Sequence, residues 1–385
     1  MKVYEQVETY MQKIGLKYIK NSNEFIAGLA YRTDKNYATK VATELNARGT
    51  GHSSGNAVFY KMKNESLDAS IYISAAFDGG LFRHLGNLIV DNPEMFSGRT
   101  IDMGCDCGIV TCFIAQMYPD CKITGVDINE SAIENAKRLA KRLELTNVEF
   151  VCADVYEYKA EEKADTVCSF RGLLDICFAK TTSLPFFGER AKRENMYCEA
   201  FSDFAKAVGD NLKDNGNVLS VERYTADYGW LGWMLALQQQ GIYTVSDKCM
   251  EMRASDISSV KDYSVTFAQK SKGAEAVDTL NSVLSISFKS GTGYDGYMAE
   301  FALYYDADGE IEFYDVFDGE KIIHQFACAK SKNGKYMYYD ANSNKKKIKY
   351  INEKKKESAD KNLADNLSLY SDEKYKIDKY LDNCI

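Results

Sequence analysis

Apolar positions recur with helical spacing at the start of the chain. Val3, Val7, Tyr10, Met11 and Ile14 share one face, which predicts an amphipathic helix over residues 3–14. A second helical stretch covers residues 38–45, and the Gly/Ser-rich residues 48–55 then read as a flexible loop. Alternating stretches at 57–61 and 70–74 predict strands, and 81–90 predicts a helix.

From Arg99 to about Lys270, strand and helix patterns alternate, which is the mark of βαβ units on a parallel sheet. Residues 109–117 form the first crossover helix. Asn129 caps the next, whose stripe is Ile133, Ala136, Leu139, Ala140 and Leu143. Strands follow at 148–152, 166–170 and 218–221, the last preceded by a helix carrying Phe201, Phe204, Val208 and Leu212. Trp230, Trp233, Met234 and Leu237 mark a further helix, ended by Gly241. The stretches 242–252 and 263–269 have no full helix between them, which predicts an antiparallel final hairpin.

Beyond Gly273 the period changes to two. Runs at 284–288, 298–305, 311–317, 322–329 and 336–339 are separated by Asp308-Gly309, Asp318-Gly319 and Asn333-Gly334, which predicts a separate antiparallel meander. Residues 345–385 are polar, open with a lysine cluster and read as helical. The fold class is therefore α/β: a doubly wound seven-stranded sheet with an antiparallel last strand, an N-terminal helical cap and a C-terminal antiparallel β accessory domain. The expected boundaries are 1–78, 79–272 and 273–385.

The 385 residues are 45% apolar, enough for a sizeable core. The net charge of −8 carries no overall nucleic-acid footprint, although a local basic patch remains compatible with it. No stretch approaches the roughly 18 apolar residues of a membrane span, and the first residues lack the apolar core of a secretion signal. The eleven scattered cysteines suit a reducing compartment, so the expected location is cytoplasmic.

The most informative chemistry lies at residues 100–108, Thr-Ile-Asp-Met-Gly-Cys-Asp-Cys-Gly, with Asp127 closing the next apolar strand. A strand, glycine loop, helix, strand and terminal acid form the unit that holds an adenosine-containing cofactor. Asp106 stands where a dinucleotide fold needs its middle glycine, and a carboxylate there repels a diphosphate. No Gly-Lys-Ser/Thr follows, which excludes a P-loop. S-adenosylmethionine fits better: it has adenosine, no phosphate, and cationic groups that suit Asp102 and Asp106.

These residues resemble the class I S-adenosylmethionine-dependent methyltransferase family over about residues 80–270. The stretch 101–108 resembles its glycine-rich first motif, Gly125-Val126-Asp127 its ribose-binding strand end, and Val151-Cys152-Ala153-Asp154-Val155 its adenine-binding acid. Residues 164–170 and 212–220 resemble its fourth strand and the turn into the fifth. The resemblance implies cofactor contacts from Asp102, Met103, Gly104, Cys105, Asp106, Gly108, Asp127, Ile128, Asp154, Val155, Ser169 and Phe170. Asp106 departs from the usual glycine and leaves the contacts of this loop open.

In such a sheet an acceptor lies beyond the carboxyl ends of the strands. Arg171, as an anchor for an acidic acceptor, Glu222, as a base, and Tyr224 are the candidate catalytic residues; a solvated or salt-bridged strand end is the plain alternative for each. Strand four lacks the Asn/Asp-Pro-Pro-Tyr/Phe signature of exocyclic-amine methylation. Cys105, Cys107, Cys112 and Cys121 lack Cys-x-x-Cys spacing, so no metal is expected. His52 sits in the Gly/Ser-rich loop, a surface loop or an active-site lid. Trp230 and Trp233 read as core, with an acceptor wall as the alternative.

The expected activity is methyl transfer to an O, N or C nucleophile of a small-molecule acceptor. One alternative is a protein or RNA acceptor docked by the C-terminal domain. The other is a non-catalytic binding protein on a relic fold.

Overall fold

A computed structural model describes residues 2–49, 55–181, 184, 185, 187–223 and 228–384. Five parallel strands make the centre of the first sheet: β1 (Arg99–Met103), β2 (Lys122–Asp127), β3 (Val148–Cys152), β4 (Ala164–Phe170) and β5 (Leu212–Glu222). Then β6 (Ile242–Thr244), β7 (Met250–Ser255) and β8 (Val260–Lys270) join antiparallel. The order is β3-β2-β1-β4-β5-β8-β6, with β7 also paired to β8, so the sheet has eight strands.

The expected seven-strand path with its antiparallel end is present. The stretch 242–252, read as one strand, is two. A turn in which Lys248 N–H donates to Val245 O (3.0 Å) divides it, and β6 and β7 pair with different segments of β8. The chain reverses its order at β1 and β4, and a doubly wound sheet opens its ligand crevice outside the carboxyl ends at such a point.

The helices of the first 91 residues are α1 (Glu5–Ile14), α2 (Ser22–Arg32), α3 (Lys35–Gly49), α4 (Asn56–Lys63) and α5 (Leu67–Asp91). The expected helices at 3–14, 38–45 and 81–90 are there, but the strands expected at 57–61 and 70–74 are helical. Ser66 caps α5 by accepting the Ala69 N–H (3.2 Å). Ile71, Tyr72, Ile73, Ala75 and Ala76 are all buried on it. A helix buried on every side shows no period of 3.6, and its β-branched and aromatic run imitates a strand. Next come α6 (Ile109–Met117) and α7 (Glu130–Arg142), where Asn129 caps α7 at Ala132 N–H (3.1 Å). Both pack against α5.

The chain divides into two compact units. The first holds Met1–Thr181, Ala200–Thr225 and Trp233–Glu275; the second holds Thr182–Glu199, Ala226–Gly232 and Ala276–Ile385. In the second, β9 (Tyr294–Asp295), β10 (Glu310–Asp318), β11 (Lys321–Lys330), β12 (Tyr336–Asn342), β13 (Lys345–Ile351) and β14 (Tyr375–Asn383) form a six-stranded antiparallel sheet, ordered β14-β10-β11-β12-β13-β9. Asp318-Gly319 and Asn333-Gly334 close hairpins as expected.

Three expectations fail here. Residues 284–288 and 298–305 are not strands but the end of one helix (Ala276–Ser285) with its following turn, and most of another (Tyr297–Asp306). Asp308-Gly309 leads from that second helix into β10 rather than closing a hairpin. The lysine cluster opens a strand, β13, with Lys346 and Ile348 buried and Lys345, Lys347 and Lys349 exposed. The helix expected in the tail is Lys356–Ser368. Ala302, Leu303, Ile311, Phe313, Ala327, Met337, Tyr339 and Ile348 build the core.

Candidate active site

At the end of β1 the chain turns sharply. Gly104 takes φ 84° and Gly108 φ 76°, and the N–H groups of Gly104 and Cys105 both donate to Val126 O on β2 (2.8 and 3.1 Å). A side chain on Gly108 fails twice, since a Cβ there lies 2.9 Å from the Ala136 Cβ and from the Phe150 ring. Gly108 caps α6, whose N-terminus follows the loop directly. Met103 and Cys107 are buried, and burial pushes the Cys107 thiol up to about 12, which makes it an inert filler.

Two carboxylates frame this loop. Asp102 is buried; its Oδ2 accepts from Thr111 Oγ1 (2.6 Å), while its Oδ1 has no hydrogen-bond partner. Burial, with the nearby Asp127 charge, pushes Asp102 up to about 7. Asp127, at the end of β2, accepts the Asp106 N–H on Oδ2 and the Asn129 N–H on Oδ1, both at 2.9 Å. Burial and the Asp106 charge push Asp127 up to about 6. The neighbouring Ile128 is exposed. At the end of β3, Asp154 accepts the Tyr156 N–H (2.9 Å), and Val155 is buried beside it.

Asp106 does not face the cleft as a free carboxylate, contrary to the sequence reading. Its φ of 47° is left-handed, and its side chain turns to α4. Oδ2 pairs with Lys63 Nζ and Oδ1 accepts from Asn64 Nδ2 (2.9 Å). Burial opposes its charge, but Lys63 and Asn64 outweigh burial and hold the carboxyl below its ordinary range. Asn64 is itself fixed: Ser70 Oγ donates to its Oδ1 (2.6 Å) and Asn135 Nδ2 donates to its carbonyl (2.9 Å).

The acceptor side is built at the ends of β4 and β5. Glu222 is buried, with Ser169 Oγ donating to Oε1 (2.8 Å) and the Leu173 N–H donating to Oε2 (3.0 Å). Burial, aided by Asp175, pushes Glu222 up to about 8. Ser169 is therefore engaged with Glu222, and Phe170 is half-buried beside it.

Arg171, read from sequence as an acceptor anchor, has φ 63° and pairs with Asp78 of α5. A guanidinium so paired is largely neutralised, and an acceptor anion must compete with Asp78 for it. Tyr60 of α4 donates to Asp175 Oδ2 (2.5 Å) just beyond β4. Tyr224 and His52 lie outside the described residues. Trp233 is buried and stacks on Phe204, and Trp230 is fully buried, so neither forms an acceptor wall.

Residues 97–225 match the family described as "Methyltransferase domain". That stretch spans β1 to the end of β5, so the similarity to methyltransferase domains lies in the parallel half of the first sheet. A probable (S)-tetrahydroprotoberberine N-methyltransferase 2 of Papaver bracteatum is 25% identical over 28% of this chain and 34% of its own length. A malonyl-[acyl-carrier protein] O-methyltransferase of Acetivibrio thermocellus is 38% identical over 23% of this chain and 31% of its own. The chain thus spans about a third of these curated relatives. Among solved structures it is similar to the N-methyltransferase NodS from Bradyrhizobium japonicum WM9 in complex with S-adenosyl-l-homocysteine. That similarity has 15% identity, covers 55% of this chain and 97% of that one, and has a TM-score of 0.38.

Within residues 97–225 the three stretches that the sequence resemblance singled out lie at adjacent strand ends, as β1, β2 and β3 are neighbours. Sequence reasoning missed Tyr60, Lys63, Asn64, Asp78 and Asp175. A helical reading of 56–63 puts Tyr60 and Lys63, three apart, on one face; the strand reading separated them. No described helix is long and apolar enough to cross a membrane.

Proposed function

We propose that the chain is an S-adenosylmethionine-dependent methyltransferase acting on a small-molecule acceptor. The observation that carries this reading is Asp127. It stands at the end of β2, holds the glycine loop by the Asp106 N–H, and keeps acceptor capacity on both oxygens for ribose hydroxyls. Asp102 fits the same donor, since its orphaned Oδ1 favours a cationic or hydroxyl-bearing neighbour. When bound, the sulfonium supplies an electrophilic methyl group.

In this reading Gly104, Cys105 and Gly108 let the backbone approach the donor, together with Met103 and Asp106. Ile128, Asp154 and Val155 hold the adenine, and Ser169 and Phe170 border it. Glu222 fixes the ends of β4 and β5 by gripping Ser169 and the Leu173 amide. The Tyr60–Asp175 pair, half-buried on the acceptor side, relays the acceptor proton where the nucleophile must lose one. Arg171 holds α5 through Asp78, and Tyr224 stays a candidate catalytic residue. Residues 1–78 act as the cap that excludes water, and 273–385 as an accessory domain.

A small-molecule acceptor is supported by the relative named for (S)-tetrahydroprotoberberine N-methylation and by an acidic chain without base-reading motifs. Incubating the protein and tritiated-methyl donor with a metabolite extract, then identifying the labelled species, tests this. Label in small molecules supports it. Label only in protein or RNA overturns the acceptor class, and no label in any fraction argues for a relic fold.

A further inference from the structure

The Asp106 side chain is tied to a helix remote in sequence, and this tie has no part in the family resemblance. Three facts meet at it. Asp106 adopts a left-handed backbone, a region that Asp enters more readily than most non-glycine residues but that glycine occupies at no cost. Its N–H, aimed by that backbone, reaches Asp127 Oδ2 at 2.9 Å. Its carboxylate is held by Lys63 and Asn64, both buried at the end of α4. Tyr60, one turn before Lys63 on the same face of α4, reaches Asp175 beyond β4. One helix therefore grips the donor loop and the acceptor side of the same unit.

We propose that Lys63 and Asn64 are positioning residues of the donor site, which hold Asp106 so that its amide orients Asp127. The proposal rests on the donor reading above for its binding consequence, but its geometric core does not. A substitution at Lys63 leaves the Asp106 carboxylate buried without its cation, and a buried charge so exposed moves toward water and takes the loop with it. Removing both partners restores the loop, because glycine takes the left-handed conformation freely and needs no counter-charge. The pair should therefore couple strongly rather than add.

The test uses the full chain and four variants: Lys63→Met, Lys63→Arg, Asp106→Gly and the double Lys63→Met/Asp106→Gly. Amide hydrogen exchange over residues 103–109 is measured in the ligand-free protein, and S-adenosylhomocysteine binding by calorimetry. Lys63→Met should exchange this segment about tenfold faster or more and bind at least about tenfold more weakly, as expected for an unpaired buried charge. Lys63→Arg should keep most of both. The double variant should recover to within about threefold of the native chain despite two substitutions, because their effects couple.

Native exchange in Lys63→Met, or a double variant no better than Lys63→Met, overturns the proposal. If the native chain binds no S-adenosylhomocysteine, the donor reading falls, and the exchange measurement alone decides whether Lys63 positions the loop.

Discussion

The Asp106 N–H donates to Asp127 Oδ2 at 2.9 Å, so the tip of the β1–α6 loop is fastened to the end of β2. The same carboxylate accepts the Asn129 N–H on its other oxygen and thereby starts α7. One side chain thus sets the loop, the following helix and the acceptor atoms offered to a ligand.

Removing that carboxylate should show in binding more than in folding. Asp127→Ala loses the charge-assisted hydrogen bonds offered to the ligand, together worth about 1.5–3 kcal/mol. S-adenosylhomocysteine binding should weaken by roughly 10- to 100-fold in calorimetry, with the circular dichroism spectrum kept. Native affinity in Asp127→Ala contradicts the assignment.

Donor binding should also depend on pH. Burial raises Asp102 to about 7 and Asp127 to about 6 in the empty site. Both must be ionised to attract a cation and accept hydroxyls fully, so binding must expel protons held below those values. Affinity for S-adenosylmethionine should rise from pH 5.5 to 8 and then level, with net proton release in buffers of different ionisation enthalpy. An affinity flat across that interval would count against both carboxylates.

Most of the first sheet was legible because burial on both faces writes apolar runs into parallel strands. Ile101, Val126, Phe150 and Val167 each fall in a stretch read correctly. Asn129 announced α7 because a cap needs only local chemistry. The failures share a physical cause. In α5 aromatic and β-branched residues are surrounded by other elements, so helical period gives way to apparent alternation. In β13 the inward position Lys346 is a lysine, made tolerable by Glu300, which no periodicity rule anticipates. The partners of Asp106 and Arg171 lie far away in sequence, at Lys63 and Asp78, and only the fold joins them.

Glu222 should make the first unit less stable in alkali. Its folded value is raised to about 8 from an ordinary 4.5, mainly by burial. The folded chain keeps a proton that the unfolded chain has lost, so stability is fullest below the unfolded value and falls as pH rises toward 8. Across that window the loss is on the order of a few kcal/mol. Glu222→Gln imitates the protonated form with the same partners. Its melting temperature should match the native chain near pH 5 and exceed it at pH 9; equal melting temperatures at pH 9 would refute the burial argument.

In the second unit Glu300 accepts from Arg193 and from Lys346 Nζ (2.6 Å), with all three side chains buried. Burial opposes the charge, but the two cations prevail and lower Glu300 to about 2. Because the folded value is depressed, its stabilisation is present above the unfolded value near 4.5 and is lost as pH falls toward 2. Glu300→Ala leaves two buried cations without the carboxylate between them, at about 3–5 kcal/mol. Urea unfolding of the full chain should report that loss at pH 7 and a much smaller difference at pH 2.5. A variant as stable as the native chain at pH 7 would refute the triad's role.

The central claim is that the β1–α6 loop and Asp127 receive a phosphate-free adenosyl donor. Equilibrium dialysis of the native protein with radiolabelled S-adenosylmethionine, challenged by S-adenosylhomocysteine and separately by NADH, tests it most directly. The account predicts saturable binding of one donor per chain, displaced by S-adenosylhomocysteine and untouched by NADH. Binding of NADH that displaces the donor, or no binding of the donor at all, would contradict it.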